Sequence, residues 1–153
     1  MKVFVFNQQK DLFISKRGVK PIVKEVLSLE KRSTDELAIY FVSTEEISEL
    51  HKEFFDDPSP TDCISFPIDQ RQGLGYHILG EVFICPKTAI DYILKRGEEV
   101  NEDIYRETTL YLVHGLLHLL GYDDIEESDQ KKMRAAENRH MHHLLREKVL
   151  LKG

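Results

Sequence analysis

The chain has 153 residues, which is one domain by size, and at that length a core forms without disulfide staples. Hydrophobic residues make up 41% and charged residues 31%, which excludes a disordered chain. Against 27 acidic residues stand 21 basic ones, and the net charge of −6 excludes a global basic field toward nucleic acid or anionic lipid.

Residues 2–6 alternate apolar and polar side chains and predict a first strand. Residues 19–29 predict a helix, with Pro21 tolerated in its first turn. Residues 36–42 read as a second strand. Ser43 and Glu46 then form a capping-box pattern ahead of Ile47, Leu50 and Phe54, so a helix follows, ended by Pro58 and Pro60. Residues 63–66 and 81–85 read as two short strands of a hairpin, joined across a glycine-bearing loop at 71–76. Pro86 opens a helix to about Lys95, and Gly97 ends it. Asn101 is expected as an N-cap, with Glu102 and Asp103 in the first turn of a helix that runs to Leu120 and stops at Gly121. A last helix is expected over 127–151. This order predicts an α+β fold, one domain over 1–153 with a small mixed β-sheet packed with helices.

Cys63 and Cys85 are expected to be buried, reduced thiols in strands, since two cysteines make no disulfide framework. The N-terminal 13 residues lack the long apolar region of a signal peptide. The most apolar stretch, 110–120, is too short to span a bilayer. A cytoplasmic protein without membrane contact is the expectation.

The informative segment is His114-Gly115-Leu116-Leu117-His118-Leu119-Leu120-Gly121-Tyr122-Asp123-Asp124. His114 and His118 stand four apart on a helix, so their rings share a face and can reach one ion. The stretch around them is apolar on every side, so the helix is buried and two buried imidazoles need partners. Gly121 permits a left-handed turn, and Asp124 is placed to return to the same ion. Two histidines and a carboxylate leave a tetrahedral site one open position, the mark of catalytic zinc. The spacing resembles the zinc helix and glycine turn of metzincins. Zinc proteases, however, place a glutamate base directly after the first histidine, and Gly115 occupies that position here. A protease is therefore disfavoured.

Positions 114–123 match the pattern His-Gly-x-Leu-His-Leu-x-Gly-Tyr-Asp, which in one family is followed by His. Pro60-Thr61-Asp62-Cys63-Ile64-Ser65-Phe66-Pro67 matches that family's Pro-Thr-Asp-Val-Leu-Ser-Phe-Pro. Gly80-Glu81-Val82 stands at its Gly-Asp-Ile, and Met133 at a methionine beyond the ligands, where it is expected to pack beneath the metal. On these motifs, over about residues 50–133, the chain resembles the YbeY family of bacterial metal-dependent endoribonucleases that mature ribosomal RNA. The resemblance implies one zinc ion per chain, held by His114, His118 and Asp124. It also implies single-stranded RNA as substrate, ribosomal RNA and the ribosome as partners, and a role in ribosome biogenesis and quality control. It implies no DNA substrate.

Two departures from the family follow. Its third ligand is histidine and here is Asp124, a harder oxygen ligand that admits other divalent metals, manganese among them. Its catalytic arginine, six residues before the motif threonine, falls on Phe55. Lys52 and Arg71 are the nearby cations. Asp62, Glu81 and Asp123 are candidate acids or bases, with Asp123 more suited to bracing the turn. Thr61 and Ser65 are candidates to line the cleft. Lys16, Arg17, Lys20 and Lys24 form one basic group and Lys131, Lys132 and Arg134 another, while Tyr76 and His77 are candidates for base stacking. Only His140 and His143 of the late histidines share a helix face, and all three, His140, His142 and His143, are expected on the surface. The alternative function is a metal-stabilised, ribosome-associated binding factor with little or no catalysis.

Overall fold

The computed structural model describes residues 1–69, 75–97 and 101–153. Among the described residues four strands form one sheet: β1 (Lys2–Gln8), β2 (Glu36–Val42), β3 (Cys63–Pro67) and β4 (Ile78–Ile84), in the order β1-β2-β4-β3. The β1–β2 and β2–β4 pairs are parallel, and β3 returns antiparallel on β4. The sheet is therefore mixed, and β3 lies at one edge.

The described residues also form five α-helices: α1 (Val19–Leu29), α2 (Thr44–Phe55), α3 (Pro86–Lys95), α4 (Asn101–Leu119) and α5 (Glu127–Glu147). A single 3₁₀ turn, Lys16–Gly18, leads into α1. Ser43 caps α2 as its spacing predicts, its hydroxyl accepting the Glu46 N–H at 3.2 Å. On one face of the sheet the apolar stripes of α1, α4 and α5 share one core, with α5 packed on α4 and α1. There Ile22, Val26, Ile39, Val82, Leu112, Leu116, Met133 and Leu144 are all buried in one core. The opposite face carries α2, through Ile47, Ile64 and Val42. Strand alternation produces this split on β3: Cys63 and Ser65 face α4, while Phe66 turns its ring to Phe54 of α2. No helix among the described residues is long and apolar enough to cross a membrane.

Several expectations are corrected. The last helix stops at Glu147, where Lys148 adopts a left-handed conformation, and the chain beyond folds back to bury Leu151. The Leu151 N–H donates to the Thr109 hydroxyl on α4 at 3.0 Å. Strand β4 starts at Ile78, because its register with β2 extends to Glu36. Cys85 lies one residue past that strand, buried at the N-cap of α3, and Cys63 is only half-buried. Asn101 is itself helical, within α4, rather than a cap outside the helix.

His140 is no surface residue, with 0% of its area exposed. Its Nε2 lies 2.8 Å from Glu30, and His143 pairs with Glu25 at 2.7 Å, so both rings join α5 to α1. Burial keeps His140 below its usual pKa although Glu30 pulls the other way. His77 is buried too, its Nδ1 2.7 Å from the Thr34 hydroxyl, which removes it from base stacking. Met133 is buried in the core. Most of the glycine-bearing loop, with Arg71, lies outside the described residues.

Candidate metal centre and its cleft

Helix α4 crosses the hairpin at Gly115. A Cβ there would stand 2.5 Å from Val82 Cγ1 and 2.7 Å from Cys63 Sγ, so only glycine lets the helix sit this close. The Ser65 hydroxyl donates to the Gly115 carbonyl at 2.9 Å, tying the helix to the edge strand. The contact fixes the height at which the two flanking histidines leave the sheet surface.

The helix ends as a Schellman turn. The Tyr122 N–H reaches back to the Leu117 carbonyl at 3.0 Å and Gly121 takes φ +105°, a conformation side chains rarely adopt. That reversal returns Asp124 to the histidines. Asp123 braces it by accepting the Asp124 N–H at 2.8 Å.

His114 Nε2 and His118 Nε2 are 3.0 Å apart, and Asp124 Oδ2 lies 3.5 and 3.4 Å from them. One ligand atom from each of the three residues falls within 4.8 Å of the others, and such a group could hold a metal ion. Ligands about 2.0–2.1 Å from a tetrahedral ion are about 3.3–3.4 Å apart along an edge, so the triangle has the right size.

The protons agree with that fit. His118 Nδ1 lies 3.0 Å from the Tyr122 carbonyl, an oxygen that can only accept, so Nδ1 carries the hydrogen. His114 Nδ1 lies 2.7 Å from the Glu137 carboxylate of α5. Both Nε2 lone pairs then face each other and a carboxylate, an arrangement that calls for a cation. Burial opposes charge on His114, yet the Glu137 bond, with Asp62 and Asp124 nearby, lifts its pKa above the ordinary value.

A cleft of about 570 Å³ opens beside the trio along the β3 edge. Asp62, Thr61, Ser65 and Asp123 line it, as does Phe55, which is 57% exposed. Of the sequence candidates, the structure therefore brings together His114, His118, Asp124, Asp62 and Asp123. It separates Glu81, which faces the other side of the sheet and accepts a hydrogen bond from Tyr40 at 3.2 Å. Lys52 is exposed and is not among the lining residues.

Sequence reasoning missed two residues. Glu137 stands four after Met133 on the buried face of α5, and a carboxylate on a core-facing stripe was the available signal. His51 lines the cleft from α2, where it falls four residues after buried Ile47 on the inward stripe.

Comparisons with known proteins place the chain in a family. The family model described as Endoribonuclease YbeY matches residues 4–145. A protein named Endoribonuclease YbeY from Protochlamydia amoebophila is 52% identical over 146 residues, covering 95% of this chain and 95% of the relative. One of the same name from Chlamydia abortus is 44% identical over 152 residues, covering 99% and 95%. The solution structure of TM1509 from Thermotoga maritima superposes with a TM-score of 0.63 over 95% of this chain and 91% of that one. Its 20% identity makes it evidence of the fold alone. The chain belongs to the YbeY family.

Proposed function

We propose that this chain is a metal-dependent endoribonuclease. In this reading it cuts single-stranded RNA in the cytoplasm, acts on ribosomal RNA at the ribosome, and serves ribosome maturation and quality control. DNA and membranes form no part of the proposal. Family membership supports the nuclease activity. The observation that carries the reading is the meeting of His114, His118 and Asp124 beside an open cleft.

His114, His118 and Asp124 are assigned as ligands of one zinc ion, with manganese a competitor because of the hard Asp124 oxygen. The bound ion would supply Lewis-acid activation of a phosphodiester and of the attacking hydroxyl. The protein's own part is to hold the ligands. Glu137 and the Tyr122 carbonyl each fix an Nδ1–H, which leaves both Nε2 atoms free to ligate. Gly115 gives α4 no glutamate base, so peptide hydrolysis is not supported.

Chelated protein, reloaded with zinc or with manganese, is to be given a labelled single-stranded RNA at stoichiometric enzyme. Cleavage that returns only on reloading is the expected result. One observation favours the second reading, a metal-stabilised ribosome-binding factor: no Lys or Arg is among the described residues lining the cleft. Tight metal binding without cleavage would establish that reading instead.

Glu137→Ala is expected to weaken zinc binding by about 10–100-fold in a chelator competition, the usual cost of losing a partner behind a ligating histidine. Unchanged affinity would remove Glu137 from the site.

A further inference from the structure

The lining of the cleft includes one more imidazole. His51 projects from α2, and its Nδ1 lies 2.9 Å from the Ser59 carbonyl. A carbonyl only accepts, so Nδ1 holds its hydrogen and Nε2 is the atom that gains or loses a proton. The carbonyl is itself held in place. The Ser59 N–H and hydroxyl both donate to Asp57, at 2.9 and 2.6 Å, and these bonds keep the Asp57 carboxyl below its usual pKa. The turn before it is set by Asp56, left-handed at φ 54°, whose N–H returns to the Lys52 carbonyl at 3.0 Å. The Phe55 ring packs 5.5 Å from the imidazole. A tautomer fixed by a carbonyl that is fixed in turn has the logic of an oriented catalytic histidine.

The chemistry of the cleft points to this ring. Asp62, Asp123 and Asp124 line it, and the described lining has neither Lys nor Arg. His114 and His118 are committed to the trio. Among the described lining residues, His51 is therefore the remaining side chain that can carry a positive charge to a phosphodiester, and it can give up a proton from that charged form.

We propose that His51 is a catalytic residue of this chain, the acid that protonates the leaving oxygen. The proposal rests on the endoribonuclease reading. In the step, water adds to phosphorus and loses one proton to solvent. The bond from phosphorus to the leaving bridging oxygen breaks. That oxygen keeps the electron pair and takes the Nε2 proton, becoming a hydroxyl. His51 is left neutral with Nδ1–H still on Ser59, and solvent restores the Nε2 proton. The plain structural reading is a half-buried histidine that only ties α2 to the following turn.

The test compares wild type with His51→Gln on two single-stranded RNAs. One is all-oxygen. The other carries sulfur in place of the leaving bridging oxygen at one site, a leaving group that needs no acid. General acid catalysis is worth about 10²–10⁴-fold, so His51→Gln is expected to slow the oxygen substrate by at least about 100-fold. It is expected to cut the sulfur substrate at close to the wild-type rate, with zinc stoichiometry and melting temperature unchanged. Equal losses on both substrates, or no loss on either, would overturn the proposal. Wild type that binds zinc but cuts neither RNA would overturn the nuclease reading, and this proposal with it.

Discussion

Gly115→Glu is expected to give no folded protein, and Gly115→Ala to lose about 1–3 kcal/mol in a urea titration. The sign is the informative part. In a helix interior, replacing glycine by alanine ordinarily stabilises by about 1 kcal/mol. Here the added carbon would meet Val82 Cγ1 at 2.5 Å and Cys63 Sγ at 2.7 Å, both from the sheet beneath. Val82 is fully buried in a β-branched strand position and has no room to swing aside. The helix would have to rise, carrying His114 and His118 with it and stretching the Ser65 bond to the Gly115 carbonyl. A stabilised Gly115→Ala variant would refute the close approach. The same contact explains why the protease-type glutamate cannot stand at this position whatever the chemistry.

His118→Ala is expected to lose zinc and cleavage together. It removes one of three ligands, and the loss should exceed the about 10–100-fold that an outer partner costs. Metal that binds only the folded state stabilises it by about 2.7 kcal/mol at a hundredfold excess over Kd. The melting temperature of His118→Ala should therefore gain nothing from added zinc, while that of wild type rises. Asp124→His is the informative companion. Imidazole suits zinc better than manganese, so the variant should retain zinc and lose its tolerance of manganese. Zinc-dependent stabilisation that persists in His118→Ala would place the ion elsewhere.

The strands, helices and hairpin were legible because their apolar periods and caps agree with the tertiary structure. The Ser43 cap and the Gly121 stop are local chemistry, visible in any window of sequence. The trio was legible for the same reason, since His114, His118 and Asp124 lie within eleven residues joined by one helix and one turn. What escaped reading is contact across elements. Glu137 reaches His114 from α5, and Glu30 from the end of α1 receives both His140 and the Tyr122 hydroxyl. No spacing rule links residues so distant, and His140 therefore looked like a surface histidine. Glu81 was misplaced for a related reason: strand alternation fixes which face it takes only once Val82 is known to sit beneath α4.

The seat of Gly115 on Cys63 also makes the protein its own opening gauge. The Cys63 thiol is pressed between the edge strand and α4, and burial together with the Asp62 charge drives its pKa far above the usual thiol range. A thiol held protonated is a poor nucleophile, and alkylation needs the thiolate. Alkylation of Cys63, which also borders the cleft, is therefore expected to be slow while α4 is seated and to quicken when α4 lifts from the hairpin. A rise in labelling rate at that one sulfur would report loosening of the histidine-bearing helix from the strand that walls the cleft, without any probe being introduced.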